Sequence, residues 1–285
     1  MRWRGRRGSQ NLEDRRGSGI ARKAGGSGIG VLVLALVAIY FGVDPSVILN
    51  QGGSMLGGSG GDSAPYQPTA EEDRLADFVS VVLADTEDTW NKLFERLGGR
   101  YQEPKLVLFS GSVSSACGLG QAAMGPFYCP ADQKAYIDLS FYRDLKSRYQ
   151  APGDFAQAYV IAHEIGHHVQ NLLGISGKVQ QAKQRLSKAE ANALSVKLEL
   201  QADCLSGVWA HDADRTRQLL ESGDIEEALN AASAIGDDRL QQQTRGYVIP
   251  ETFTHGTSAQ RVFWFKTGLK EGEIDACNTF DAKRS

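Results

Sequence analysis

Five stretches of the chain place apolar residues at helical spacing, and each opens on a side chain suited to capping. Thr69-Ala-Glu-Glu72 is a capping box, in which a hydroxyl and a carboxylate three residues apart satisfy each other's backbone nitrogens. It predicts a helix from residue 69 to about 97, bent or broken near Asp85 and stopped by Gly98-Gly99. Asp154 opens a second helix that runs to about residue 173, with Gly174 just beyond its end. Ser187-x-x-Glu190 opens a third, to about residue 210. Asp224-x-x-Glu227 and Thr257-x-x-Gln260 open two more. Between the first two helices, residues 105–109, 127–129 and 135–139 read as short strands. Residues 130–134 turn between the last two, and 111–125 form a loop of small residues. A small N-terminal β-sheet followed by a mainly helical remainder is an α+β fold.

The longest apolar run reads differently. Residues 24–43 hold no charged side chain, and residues 29–43 read IGVLVLALVAIYFGV. As a helix, twenty residues span about 30 Å, the thickness of a bilayer's hydrocarbon core. Arg22 and Lys23 flank one end and Asp44 the other, so the positive-inside rule predicts a cytoplasmic N-terminus. A core helix is one alternative, although such helices are seldom apolar on every face. A cleaved signal peptide is another. No small-x-small cleavage site follows the run; Asp44-Pro45-Ser46-Val47 comes instead, which favours an uncleaved anchor. The expected organisation is a basic cytoplasmic tip at 1–23, one transmembrane helix within the anchor at 24–49, a Gly/Ser-rich linker at 50–68, and a folded domain at 69–285. The linker is a flexible coil with an end-to-end distance on the order of 25 Å. This organisation predicts a single-pass protein of the inner membrane, its C-terminal domain periplasmic or extracellular.

Charge changes this picture little. Residues 1–23 carry eight basic side chains against two acidic ones, whereas the remainder carries 23 basic against 32 acidic. A basic tip on an acidic body raises nucleic-acid binding. The topology signal already explains those charges, and Trp3 is the only aromatic among them, so no nucleic-acid partner is expected. Some attraction to anionic lipid follows. With 285 residues, 41% of them hydrophobic, the chain has material for a sizeable core. Its four cysteines allow three pairings. The favoured one joins Cys117 to Cys129 across a Gly-rich turn and Cys204 to Cys277, tying the C-terminal tail to a helix; free buried thiols are the alternative. With no Cys-x-x-Cys pair, a structural cysteine–zinc site is disfavoured.

The chemistry concentrates in residues 155–168, FAQAYVIAHEIGHH. His163 and His167 are four apart and share one helix face, where two imidazoles can hold one Zn2+. Glu164 lies one residue further round, placed to take a proton from water as general base. A catalytic site needs a third protein ligand and an open position. Glu199, with Asp203 four residues on, is the candidate. Asp203 is placed to accept a hydrogen bond from the outer nitrogen of a ligating histidine. The alternative is a solvated charged face.

These residues resemble a known pattern. His163-Glu164-x-x-His167 followed by Glu199-x-x-x-Asp203 looks like the gluzincin signature, and the chain resembles the bacterial family of "putative neutral zinc metallopeptidases". The likeness covers nearly the whole chain. It includes the Met1-Arg-Trp-x-Gly-Arg-Arg opening, Ser114-Ser-Ala-Cys-Gly, Phe127-Tyr-Cys-Pro, Tyr136-Ile-Asp-Leu, Glu199-Leu-Gln-Ala-Asp-Cys and His255-Gly-Thr-Ser-x-x-Arg261. The resemblance implies a zincin-like fold, a zinc cofactor, a metalloendopeptidase activity and a peptide or protein substrate. By likeness to zincins generally, an extended substrate would pair with an edge strand beside the metal helix. Tyr136, Ile137 and Asp138 are the candidates for that strand, an ordinary buried strand being the alternative.

His255 precedes a helix start and could donate a hydrogen bond to the oxyanion, or merely cap a loop. Tyr247 is a rival for the same role. His168 is turned about 100° from His167 and cannot face the same metal; it reads as surface or as support behind the ligands. His211, near a helix end, reads as a favourable charge at a C-terminus. A non-catalytic, membrane-tethered protein with a stabilising zinc is the alternative function. Glu164 speaks against it, since a structural site needs no base.

Overall fold

In the computed structural model, residues 1–17 and 66–281 are described. They form a mostly helical body with a small mixed sheet. Strand β1 is Leu12–Asp14 and helix α1 is Ala70–Arg96. There follow β2 (Lys105–Phe109), β3 (Ser112–Ser115), β4 (Gly118–Gln121), β5 (Phe127–Cys129) and β6 (Lys134–Asp138). The remaining helices are α2 (Ser140–Ser147), α3 (Asp154–Leu172), α4 (Ile175–Lys183), α5 (Lys188–Arg217), α6 (Asp224–Ala234), α7 (Asp237–Arg245) and α8 (Ser258–Glu271).

The capping boxes at Thr69, Ser187 and Thr257 each form in both directions, and each starts a helix. Helix α1 does not break at Asp85. That carboxylate is buried and accepts from Trp209 Nε1 at 2.9 Å and from Arg217 Nε at 2.7 Å, so the charge is satisfied within an unbroken helix. Residues 111–125, expected as a loop, hold the antiparallel hairpin β3–β4 and a 3-10 turn at Ala122–Met124.

The main sheet runs β1-β2-β6-β5, with β1, β2 and β6 parallel and β5 antiparallel to β6. Its apolar face, with Leu106, Leu108, Ala135 and Ile137, joins the core built around α3. Helix α3 is buried along most of its length and packs against α1, α5 and α6. Phe155 near its start stacks on Trp209 of α5 at 5.7 Å between ring centroids. Disulfides join Cys117 to Cys129 and Cys204 to Cys277. The first fastens the β3–β4 hairpin to β5, and the second fastens the segment after α8 to α5.

Two sequence expectations need correction here. Tyr136, Ile137 and Asp138 lie in β6, and Tyr136 is not at an edge. It is paired with Val107 of β2 on one side and Phe127 of β5 on the other, whereas Ile137 and Asp138 pair with Leu108 and Phe109 of β2 and lie beyond the register with β5. Asp138 turns its carboxylate to the backbone nitrogens of Gly111 and Ser140. The strand at the edge on this side is β5.

The second correction concerns the membrane. Among the described residues no helix is long and apolar enough to cross a bilayer, and the span expected at 24–43 lies outside the described residues. The segment ahead of it is not a separate tip. Leu12–Asp14 extend the sheet through β2, Trp3 sits edge-on to Phe78 at 5.3 Å, and Arg7 and Ser9 bond to Glu87. Arg16 pairs with Asp73, joining the two flanks of the 18–65 stretch. One crossing between those flanks would set them on opposite faces of a membrane, yet they share one sheet and one core. The expected transmembrane helix, the cytoplasmic tip and the single-pass inner-membrane location are therefore not supported.

Candidate metal centre

Helix α3 presents His163 and His167 one turn apart, and α5 presents Glu199 opposite them. Gly166 makes this meeting close. A Cβ there would lie 3.0 Å from the carbonyl oxygen and 3.1 Å from the Cα of Ala202, so α3 and α5 approach through the missing side chain. His163 Nε2 lies 3.2 Å from Glu199 Oε2, and His167 Nε2 lies 3.4 Å from Glu199 Oε1. The three ligand atoms fall within 4.8 Å of one another.

The outer nitrogens are fixed from behind. His163 Nδ1 donates to Asp203 Oδ1 at 2.9 Å, and His167 Nδ1 donates to Gln170 Oε1 at 2.9 Å. Gln170 is held in turn, giving its amide hydrogens to Leu198 O at 2.6 Å and Gln201 Oε1 at 3.2 Å. With both Nδ1 positions engaged as donors, both Nε2 atoms face Glu199 and are the ones left to bind a cation. Two imidazoles, each with its outer nitrogen held by an acceptor, and one carboxylate match the donor set of a zinc site that leaves a position open.

The electrostatics favour a cation at this point. Burial would push the His163 imidazole down, but Asp203 and Glu199 outweigh it and raise it to about 10. Burial would raise the Glu199 carboxyl, but His167 and His163 hold it well below the usual carboxylate range. Glu164 is buried in the same pocket, and burial pushes its carboxyl up from the ordinary value against the pull of the two histidines. A carboxylate raised in this way accepts a proton more readily, as a general base requires.

The centre opens into a cleft of about 760 Å³ that contains His163, Glu164, His167, Glu199, His255 and Arg261 in its lining. Phe127 and Tyr128 of β5 form one wall, with Phe141, Tyr149, Val160 and Ile235 supplying apolar surface. His255 stands at the rim, half exposed. Its Nδ1 lies 3.3 Å from Asp237 Oδ1, and Asp237 Oδ2 accepts the backbone nitrogens of Thr254, His255 and Gly256. The loop is thereby pinned with His255 over the cleft. Tyr247 is exposed and is absent from the lining. His168 is buried rather than at the surface. Its Nε2 donates to Gln102 O at 2.6 Å and its Nδ1 accepts from Tyr128 OH at 2.9 Å, which ties β5 to α3. His211 bonds to Leu269 O.

Sequence reasoning gave no role to Arg261, Tyr159, Gln170 or Asp237. Arg261 and Tyr159 both reach Asp203 in the interior. Gln170 sits three residues after His167, a helical spacing that would have nominated it. Arg261 closes a stretch that carries the family likeness, but the local pattern gives it no role, because its partners lie 58 and 102 residues away.

A second acidic group, Asp154, Asp224 and Glu227, also lies together among the described residues. Its ligand is already in place: the amino group of Met1 bonds to Asp154 at 2.8 Å and to Asp224 at 3.2 Å.

The family model described as "Putative neutral zinc metallopeptidase" matches residues 1–280. The "Uncharacterized protein YpfJ" of Escherichia coli (strain K12) is 53% identical over 98% of this chain and 99% of its own length. The "Uncharacterized protein Rv2575" of Mycobacterium tuberculosis (strain ATCC 25618 / H37Rv) is 41% identical over 86% of this chain and 85% of its own. No solved structure matches the chain.

Proposed function

The chain belongs to the "Putative neutral zinc metallopeptidase" family, and from that premise we propose that it cleaves peptide bonds at the centre formed by His163, His167 and Glu199. The observation that supports this most directly is the convergence of those three side chains from two helices, with Glu164 in the same cleft. Zinc held there would supply a Lewis acid to polarise the substrate carbonyl and acidify a water.

The protein's own groups do the rest. Glu164 takes the proton of the attacking water on its carboxylate and can return it to the departing amide nitrogen. His255, braced by Asp237, offers its outer nitrogen to the oxygen that gains charge. The substrate is an extended peptide. The outer edge of β5, the last strand of the sheet among the described residues and beside the cleft, is suited to hydrogen-bonding its backbone, and the apolar walls are suited to its side chains.

Glu164→Gln separates this reading from a purely structural zinc site. The variant should keep stoichiometric zinc and lose cleavage of a fluorogenic peptide library by at least a hundredfold. Cleavage at the wild-type rate would reject Glu164 as base, and a wild-type protein that binds zinc but cuts nothing would favour the scaffold alternative.

A further inference from the structure

We infer that Arg261 is a positioning residue for the metal centre, clamping Asp203 and through it the imidazole of His163. The inference rests on the zinc reading above. Asp203 is completely buried, and Arg261 is only 2% exposed. Arg261 Nε donates to Asp203 Oδ2 at 2.9 Å and Nη2 donates to Oδ1 at 2.9 Å. Tyr159 OH donates to Oδ1 at 2.5 Å, and Arg261 Nη2 reaches Tyr159 OH at 3.2 Å. Oδ1 is the same atom that receives His163 Nδ1.

The arrangement decides two things. A carboxylate held only by an imidazole can rotate about its last bond. The parallel fork of a guanidinium fixes its plane, and with it the direction from which His163 is held. A buried carboxylate without a counter-charge would also be costly and would draw the His163 proton towards itself. Arg261 balances that charge, so Asp203 acts on His163 as an oriented acceptor.

The fold is built to deliver this contact. Arg261 lies on α8 and Asp203 on α5, and these helices cross closely at Gly207 and Gly268. A Cβ on Gly268 would overlap the carbonyl oxygen of Cys204, and one on Gly207 would overlap that of Phe265. The disulfide from Cys204, next to Asp203, fastens the segment after α8 to the same point. Arg261 Nη1 also approaches Ile235 O at the end of α6, at 3.4 Å. A substitute lysine has a single donating nitrogen and could not reproduce the fork.

The test is a double-mutant cycle on the full chain with Arg261→Gln, Arg261→Lys and Asp203→Asn, read by zinc. The dissociation constant for zinc alone is measured by chelator competition, and the absorption spectrum of Co2+ in the site is recorded. Peptide turnover is split into kcat and KM. Arg261→Gln should weaken zinc binding about tenfold to a hundredfold, change the Co2+ spectrum and lower kcat while KM holds. Arg261→Lys should recover only part. On the Asp203→Asn background, Arg261→Gln should cost less than about twofold, because its partner is gone. The double variant leaves no lone buried charge, so it serves should Arg261→Gln alone fail to fold. Unchanged zinc affinity and Co2+ spectrum in Arg261→Gln or Arg261→Lys, or additive losses in the double variant, would overturn the clamp. Because the readout is zinc itself, absence of peptide cleavage in the wild type would reject the peptidase reading and still leave the clamp decided.

Discussion

His167 and Gln170 are joined within one helix, Nδ1 to Oε1 at 2.9 Å, whereas the other histidine of the pair leans on a carboxylate from a different helix. The two imidazoles are therefore oriented by different means. Gln170 can accept from His167 only because Leu198 O and Gln201 Oε1 take its amide hydrogens, which fixes which way the amide points. Gln170→Leu keeps the size and removes the acceptor. It should weaken zinc binding about tenfold to a hundredfold with little change in helix content, read by chelator competition and circular dichroism. A zinc affinity equal to wild type would show that His167 needs no such brace.

The close approach at Gly166 predicts a separation between stability and metal binding. Gly166→Ala improves the propensity of α3 by up to about 1 kcal/mol. The new methyl must move the backbone of Ala202, three residues from Glu199, by a few tenths of an ångström. The expected outcome is a Tm within a few degrees of wild type but zinc binding about tenfold weaker. Equal affinity would mean that α5 yields without carrying Glu199 away.

What could be read from the sequence was local. Thr69, Ser187 and Thr257 announce their helices because a capping box needs only four consecutive residues. His163, Glu164 and His167 are legible for the same reason, and Glu199 and Asp203 repeat the four-residue spacing on one further helix. What lay beyond reach depends on partners far along the chain. Leu12–Asp14 become a strand only because β2, more than ninety residues on, offers an edge. β5 covers β6 as far as Tyr136, and that order of strands cannot be read from their own patterns. Asp85 looked like a helix breaker until Trp209 and Arg217 supplied its donors. Hydropathy marked residues 24–43 as a span, but it is blind to whether the flanks of a segment meet, and Arg16 meets Asp73.

That meeting can be tested through Trp3. Its ring packs edge-on to Phe78 of α1, and Arg2 N bonds to Leu219 O nearby. A fully buried Trp→Ala change costs about 3–5 kcal/mol, and Trp3 is partly exposed, so about 2 kcal/mol is expected for Trp3→Ala. For a domain of this size that is a fall of about 4–8 °C in Tm. An unchanged melting curve would mean that the first residues do not belong to the folded body.

The pairing of His255 with Asp237 carries the pH dependence. The hydrogen bond to Asp237 raises the imidazole above its ordinary value, with burial opposing. A histidine raised on folding contributes stability that is fully present below its unfolded pKa, near 6.5, and lost as pH climbs through the folded value. The Tm gap between wild type and His255→Gln should therefore be wider at pH 5.5 than at pH 9. Half of the side chain is exposed, so screening limits this to a few tenths of a kcal/mol, about 1 °C. Activity should respond more strongly. Nδ1 faces Asp237, so the neutral ring would keep its proton there and leave the outer nitrogen an acceptor. Donation to the charged oxygen of the reacting carbonyl thus requires the imidazolium. Peptide cleavage should fall on the alkaline side, above the ordinary histidine range, and His255→Gln should lose that limb while running about a hundredfold slower throughout. An alkaline limb of the same position in the variant would assign it to another group and remove His255 from the reaction.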